Sequence, residues 1–155
     1  MAERRLPHGV FDYIDGGADD ETALHRNRDA YGRIEFKPRV LQDVTTVDTG
    51  SRLVGQSLAF PLVLAPTGFT RIAHPDGELA VARSAARAQL PYTLSTLSTR
   101  SIEEVAGVSD GRLWFQVYMW RDRALVSELV NRAAAAGYEA LCVYGRHADP
   151  QPSRA

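Results

Sequence analysis

The sequence predicts an α/β fold in which strands alternate with helices around a parallel sheet. Four apolar, strand-like runs recur at intervals of roughly 22 to 30 residues, and helical patterns fill the gaps between them. Alternating units of this kind build parallel sheets. Polar residues follow three of the runs, and parallel folds carry their chemistry at the carboxyl ends of the strands. The runs cover residues 61–65, 91–95, 113–118 and 140–144.

The composition is that of an ordinary globular domain. The chain has 155 residues, 45% hydrophobic and 24% charged, with a formal net charge of −1, which predicts one domain with a sizeable core. This charge gives no reason to expect nucleic acid or an acidic membrane as a partner. No apolar run approaches the ~20 residues of a membrane span, and the N-terminus lacks the apolar core of a secretory signal. The single cysteine, Cys142, cannot form an internal disulfide. We expect a cytoplasmic protein, or one loosely attached to a membrane by a segment not present in this sequence.

The part of the chain before the first strand-like run predicts two helices. Residues 10–14 place apolar groups at helical spacing, and a glycine pair breaks that pattern. Acidic residues then open a second helix over residues 22–31, where they complement the helix dipole. Residues 34–41 predict an extended chain interrupted by a proline, and the weak alternation over 45–58 favours short strands or a hairpin.

The repeated units begin with a buried strand over residues 62–65 and an alanine-rich helix over 76–89. Ser101 and Glu104 match a capping box, in which each side chain accepts from the backbone amide of the other residue. Asp122 can cap the amphipathic helix that precedes the last strand.

The last strand is predicted over residues 138–143, after a helix that ends at Gly137. Beyond Val143 the aliphatic pattern stops, and prolines and polar residues follow. We expect a domain over residues 1–143 and a divergent, disordered tail over 144–155.

Two polar features follow the first two strand-like runs. The turn formed by Pro66, Thr67 and Gly68 has a small residue that lets a ligand approach the backbone, and its amides can donate to a flat heterocycle. A tight turn without a ligand explains it equally well. Ser95 ends the second run, where its hydroxyl can bind a cofactor carbonyl or cap the strand through a local backbone bond.

Gln116 and Tyr118 lie two apart on the third strand, so their side chains point to the same face. A buried amide without a partner costs about 1–3 kcal/mol. Gln116 therefore requires either a ligand or a structural network, of which we favour the ligand.

Tyr13 lies near the N-terminus, where its phenol can donate to a substrate carboxylate or pack as a partly buried aromatic. The histidines fit no metal-ligand spacing, and His74 is better explained by a helix N-terminus over residues 74–78. We find no Ser-His-Asp or Cys-His arrangement, no GxGxxG and no phosphate-binding P-loop. The residues alone therefore assign no catalytic group and no metal ligand.

An ordered series of motifs resembles the FMN-dependent 2-hydroxy-acid oxidoreductases, the family of glycolate oxidase, L-lactate dehydrogenase and mandelate dehydrogenase. The resemblance covers roughly residues 8–143. It implies a TIM (β/α)8 barrel with FMN at the carboxyl ends of the strands. This chain would be the first half, with an N-terminal helical segment and about four βα units. The motifs are FDYIDGGA at 11–18, NRDAY at 27–31, FKPRVL at 36–41, LAPTG at 64–68, AHPDGE at 73–78, SIEEVA at 101–106 and FQVY at 115–118.

The resemblance also implies which residues would contact the flavin. Pro66, Thr67 and Gly68 resemble the turn whose backbone contacts the cofactor, although the family often has alanine where Gly68 stands. Ser95 and Gln116 resemble contacts to the flavin ring.

Two tyrosines resemble substrate contacts of the family. Tyr13 resembles the tyrosine that binds the substrate carboxylate. Tyr118 resembles the tyrosine between the flavin and the substrate hydroxyl, where it contacts both. The implied substrate is a small L-2-hydroxy acid of the lactate, glycolate and mandelate class, which is oxidised to the 2-oxo acid as two electrons pass to the flavin.

The chain departs from the family after its last strand. The family continues into Thr-Val-Asp-Thr-Pro and a substrate-binding arginine, whereas this chain has Tyr144, Gly145, Arg146 and His147, to which no role is carried over. The family's later lysine, its histidine base and its phosphate-binding loops belong to the second half of the barrel. Lys37, the only lysine, lies too early to substitute. We therefore expect a truncated member that is inactive alone, with no catalytic residue of its own.

Two other functions fit the same pattern. A half-barrel leaves open sheet edges, so the chain could act only after it associates with a second copy or with a separate C-terminal fragment. It could also bind FMN without catalysis. That binding would be weak, because phosphate contacts usually anchor such ligands and the family's phosphate-binding loops belong to the second half of the barrel.

Overall fold

The structure is a computed structural model that describes residues 2–145. It divides into two compact units, with the boundary between Asp48 and Thr49. Within the described range, no helix combines the length and the hydropathy needed to cross a bilayer.

The first unit contains α1 (His8–Asp15) and α2 (Thr22–Tyr31). Both predicted N-terminal helices are therefore confirmed. Residues 34–41 have no helix or strand, as their proline-interrupted pattern predicts.

The second unit opens with an antiparallel hairpin of β1 (Ser51–Leu53) and β2 (Gln56–Leu58). Val54 and Gly55, between the strands, both have positive φ, 52° and 74°. A two-residue turn of this kind matches the twist of the flanking strands. Of the two alternatives for residues 45–58, the hairpin is confirmed.

A sheet of three parallel strands follows, in the order β3 (Tyr92–Ser95), β4 (Leu113–Tyr118) and β5 (Ala140–Tyr144). Helix α4 (Ile102–Ala106) connects β3 to β4, and α5 (Arg123–Ala135) connects β4 to β5. Parallel neighbours joined through helices are βαβ units, so the predicted α/β class and parallel sheet are confirmed.

The predicted strand over residues 62–65 is wrong. Only Leu64 pairs with β3, through an isolated parallel bridge opposite Tyr92. The Leu64 amide donates to the Pro91 carbonyl at 2.9 Å, and the Leu64 carbonyl accepts from the Thr93 amide at 3.0 Å. Pro61 and Pro66 lack the amide hydrogen that a ladder needs. The segment therefore runs beside the sheet but joins it at a single residue.

Alternation along the strands gives the sheet two different faces. The face toward the helices is apolar, whereas the opposite face presents Thr93, Ser95 and Gln116, all of them buried. Helix α3 (Gly77–Arg87) precedes β3 and joins α4 and α5 in covering the apolar face. The buried core comprises Ala82, Ala85, Tyr92, Leu94, Ile102, Val105, Leu113, Phe115, Val117, Val126, Ala133 and Tyr138.

Both predicted helix caps are confirmed. The Ser101 hydroxyl accepts from the Glu104 amide at 3.1 Å, and the Glu104 carboxylate accepts from the Ser101 amide at 2.8 Å. One carboxylate oxygen of Asp122 accepts from the amides of Ala124 and Leu125, at 3.0 and 3.1 Å. These bonds satisfy amides that have no partner inside their helices.

Two predicted boundaries shift. Helix α3 ends at Arg87, before the predicted end at residue 89. The last strand begins at Ala140 rather than at Tyr138, and the Tyr138 side chain lies in the core. There its hydroxyl donates to the Ile102 carbonyl at 3.0 Å.

Strand β5 continues through Tyr144, one residue beyond the domain end predicted at Val143. The disorder predicted for the tail otherwise falls mostly on residues 146–155, which lie outside the described range.

We expect Leu94→Ala to lower the free energy of unfolding by about 2–5 kcal/mol, because the side chain is fully buried between the sheet and the helices. Leu125→Ala removes the same atoms from a side chain that is 38% exposed, and should cost less than half as much. Urea unfolding followed by circular dichroism measures both values. Equal losses in the two variants would contradict this placement of the core.

Candidate functional site

Three neighbouring segments bring most of the predicted site residues to one edge of the sheet. Ser95 ends β3, Tyr118 ends β4 with Gln116 two residues before it, and the turn at residues 66–68 lies against the loop that follows β3. The carboxyl ends of parallel strands meet at this edge.

The turn at residues 66–68 packs closely against the loop that comes after β3. The Phe69 amide donates to the Leu97 carbonyl at 3.0 Å. A Cβ on Gly68 would lie 3.2 Å from the Leu97 Cβ, closer than ordinary packing. The small residue at 68 therefore permits a contact within the protein, and the flavin contact of this turn stays a prediction.

Ser95 and Gln116 are paired across the sheet. They occupy the same register position on β3 and β4, and the Ser95 hydroxyl donates to Gln116 Oε1 at 3.2 Å. The same hydroxyl accepts from the Leu97 amide at 3.1 Å. Ser95 therefore fixes the Gln116 carboxamide to the loop that follows β3.

The other end of that carboxamide is unsatisfied. Gln116 Nε2 is buried and has no hydrogen-bond partner among the residues that the structure describes. The amide can be placed either way round, but in both orientations one polar atom lacks a partner. A buried polar group left unpaired costs about 1–3 kcal/mol. In the orientation that the structure gives, this position is suited to a ligand that accepts a hydrogen bond.

Thr96 was not singled out by the sequence, yet it links the two strands. Its hydroxyl donates to the Gln116 carbonyl and accepts from the Tyr118 amide at 3.3 Å. The cluster of Ser and Thr residues at 93–99 was the only sequence feature that indicated a role for Thr96. The partners of its hydroxyl depend on the register of β4, which the sequence does not give.

Tyr118 is half-buried on the face that it shares with Gln116, as its spacing predicts. Its ring meets Tyr144 edge to face, with 5.3 Å between ring centroids and an interplanar angle of 78°. Tyr144 received no role from the sequence, but β5 places it directly beside Tyr118.

Tyr13 lies on α1 in the first unit and is 68% exposed. Its predicted contact with a substrate carboxylate stays a prediction.

Glu78 is a second buried polar residue that the sequence did not single out. Its carboxylate accepts from the amide and the hydroxyl of Thr99, at 2.8 and 2.7 Å. Burial disfavours the charge, but these bonds and one from Thr70 outweigh it and hold the pKa of Glu78 below its usual value. Glu78 thereby fixes the loop after β3 to the first turn of α3.

His74 belongs to the turn before α3, as its position predicts, and its Nδ1 accepts from the Asp76 amide at 3.2 Å. Within residues 2–145, no three metal-binding side chains of His, Cys, Asp or Glu lie close enough to hold an ion.

Comparison with known proteins points to one family. A sequence model of the FMN-dependent dehydrogenases matches residues 2–145. A putative L-lactate dehydrogenase of Mycobacterium tuberculosis is 51% identical over 92% of this chain, and glycolate oxidase 1 of Zea mays is 43% identical over 92%. A solved mandelate oxidase variant carrying a monooxide FMN adduct superposes with a TM-score of 0.85 at 44% identity, over 92% of this chain.

The chain is shorter than these relatives. It spans 35% of the Mycobacterium tuberculosis protein, 39% of the Zea mays protein and 45% of the mandelate oxidase chain. These hydroxy-acid oxidase structures are TIM barrels, so the chain corresponds to part of a barrel.

We expect Glu78→Gln to remove one source of acid sensitivity. The pKa of Glu78 in the folded protein lies below its ordinary value of 4.5. Its ionised form therefore adds stability above about pH 4.5 that is lost as the pH falls through the folded pKa. The difference in unfolding free energy between wild type and variant should shrink on acidification, as measured by urea unfolding between pH 7 and 3. A constant difference would show that the hydrogen bonds do not favour the charged form.

Proposed function

The chain belongs to the family of FMN-dependent dehydrogenases, and we propose from this that it supplies the amino-terminal part of the flavin site in an enzyme that oxidises a 2-hydroxy acid to the 2-oxo acid. Residues 1–143 would form the first part of the catalytic domain. The named relatives, an L-lactate dehydrogenase, glycolate oxidases and mandelate oxidases, support a small L-2-hydroxy acid as the substrate.

One observation carries the proposed cofactor. The buried Nε2 atom of Gln116 lacks a partner among the described residues, and a flavin ring edge offers acceptors for such a donor. Ser95 holds the other end of the carboxamide, so the donor is already oriented. A group fixed before binding loses little conformational freedom when the ligand arrives.

The remaining contacts surround this donor. The turn of Pro66, Thr67 and Gly68 brings peptide groups to the same edge of the sheet, and we assign the amides of Thr67 and Gly68 to the flavin. Tyr118 lies beyond Gln116 on the same face, where its half-buried ring can contact the cofactor.

FMN, when bound, supplies the acceptor for the two electrons of the substrate. The chain's own residues bind the cofactor and the substrate and orient them. We assign the Tyr118 hydroxyl to the substrate hydroxyl and the Tyr13 hydroxyl to the substrate carboxylate, because a phenol donates a hydrogen bond without adding charge.

The oxidation also requires a base that takes a proton from the substrate. In the described part of the chain, the side chains of the cluster that can hydrogen-bond are hydroxyls and one carboxamide, and none of these is basic at neutral pH. The described residues 2–145 therefore contribute binding groups but no proton acceptor at this edge.

We expect Gln116→Leu to weaken FMN binding by about tenfold, since one hydrogen bond is worth about 1 kcal/mol or slightly more. Its unfolding free energy should change little, because the variant removes the unpaired buried Nε2 atom but also leaves the Ser95 hydroxyl without its acceptor. Quenching of flavin fluorescence measures the affinity, and Gln56→Leu on the exposed strand β2 is the matched control. A loss of stability with unchanged affinity would make Gln116 structural.

We expect the chain alone, saturated with FMN under anaerobic conditions, to leave the flavin oxidised when L-lactate, glycolate or mandelate is added. The reason is that, among the residues that the structure describes, the cluster at this edge offers no proton acceptor. Visible absorbance records the flavin directly, and a photoreduced sample provides the positive control. Bleaching by any of the three acids would mean that a residue of this chain serves as the base.

A further inference from the structure

Cys142 continues a row of polar side chains across the sheet. Ser95 of β3 is in register with Gln116 of β4, and Gln116 is in register with Cys142 of β5. Residues in register on adjacent strands point to the same face, and the strands lie about 4.8 Å apart. Cys142 is therefore the neighbour of Gln116 on the face that carries the candidate functional site.

The unpaired end of the Gln116 carboxamide is turned toward this cysteine. Its Oε1 atom accepts from the Ser95 hydroxyl on the β3 side, so its Nε2 atom is turned to the β5 side. Gln116 is 5% exposed, and Nε2 has no hydrogen-bond partner among residues 2–145. A ligand that accepts from Nε2 lies along the direction of the N–H bond. Such a ligand lies over β5, at the position of Cys142.

The surroundings of Cys142 suit a flat ring. Its thiol is free and half-buried. The neighbouring side chains on this face, Gln116, Tyr118 and Tyr144, carry no charge at neutral pH. A free cysteine behaves as a small, polarizable apolar group and makes favourable contacts with aromatic rings. The sulfur therefore offers a packing surface beside the Nε2 donor.

We propose that Cys142 is part of the flavin site and that its thiol is a modification site at which an attached group excludes the cofactor. The sulfur packs against the flavin ring whose acceptor binds Gln116 Nε2. A group attached to the sulfur fills the same space, so a modified thiol and FMN exclude each other. The identity of the ligand rests on the proposed function, whereas the register of Cys142 and Gln116 does not.

A purely structural role for Cys142 is the alternative. With the carboxamide of Gln116 placed the other way round, the thiol would donate a weak hydrogen bond to Oε1. The cysteine would then only pack within the sheet. In that case FMN would not change the access of a reagent to the sulfur.

Alkylation of the 155-residue chain by iodoacetamide tests the proposal, because Cys142 is its single cysteine. The thiol gives its proton to the solvent, and the thiolate displaces iodide, so one S–C bond forms as one C–I bond breaks. We expect FMN at ten times its dissociation constant to slow the reaction about tenfold, since only the free fraction reacts. An unchanged rate with FMN bound would overturn the proposal.

Leu125→Cys supplies an internal control in the same molecule. Leu125 is 38% exposed on α5, which covers the opposite face of the sheet. Trypsin separates the two cysteines, because Arg132 lies between them, and mass spectrometry then gives both rates. FMN should leave the rate at position 125 unchanged. Equal slowing at both positions would reflect a general stabilisation of the fold and would overturn the proposal.

Methyl methanethiosulfonate tests the exclusion from the other direction. The Cys142 thiolate attacks the methylthio sulfur, so that a mixed disulfide forms and methanesulfinate leaves. We expect the modified chain to bind FMN about tenfold or more weakly, as measured by flavin fluorescence, because the methylthio group occupies part of the site. Dithiothreitol should restore the thiol and the affinity. Undiminished affinity of the fully modified chain would overturn the proposal.

Flavin binding and thiol labelling separate this proposal from the proposed function. FMN that binds with the expected sensitivity to Gln116→Leu, but leaves the reaction of Cys142 with iodoacetamide unchanged, would support the proposed function and contradict this inference. An unmodified chain that binds no FMN would contradict both.

Discussion

The two-residue alternation of β4 determines most of what this protein can do. Leu113, Phe115 and Val117 face the helices and hold the core together, while Gln116 and Tyr118 face the opposite side. A shift of one residue in the pairing with β3 would bury the polar pair among the helices and expose the core. The apolar core therefore fixes the register, and the register aligns Gln116 with Ser95.

Two polar side chains are buried at a cost in free energy, and they have different roles. Glu78 has its carboxylate oxygens satisfied by Thr99, so its burial fixes the loop after β3 to α3. Gln116 has one end satisfied by Ser95 and the other unpaired. A fully satisfied group rigidifies a fold, whereas an unpaired group raises its free energy until something binds. Glu78 supports the loop after β3, and Gln116 is the position at which we propose that a ligand binds.

The sequence predicted those features that depend on neighbours along the chain. The caps at Ser101 and Asp122 were correct because their partners lie within three residues, and β4 was correct because it is long and apolar. The strand at 62–65 was wrong, since a ladder depends on amides that its flanking prolines lack. Residues 66–68, Ser95, Gln116 and Tyr118 were expected to meet, and they do lie at one edge. The sequence assigned no role to three further residues, Glu78, Thr96 and Tyr144. Their partners lie 21, 20 and 26 positions away along the chain, respectively.

The prolines beside Leu64 have a consequence for how this protein behaves at high concentration. A fibre grows only when each molecule offers two complementary ends that can join repeatedly. Here one end of the sheet is bordered by a segment that joins it at one residue and is flanked by Pro61 and Pro66, and proline resists further pairing. Growth of the sheet is thus terminated on that side. If molecules associated through the other edge, that association would therefore stop at a pair.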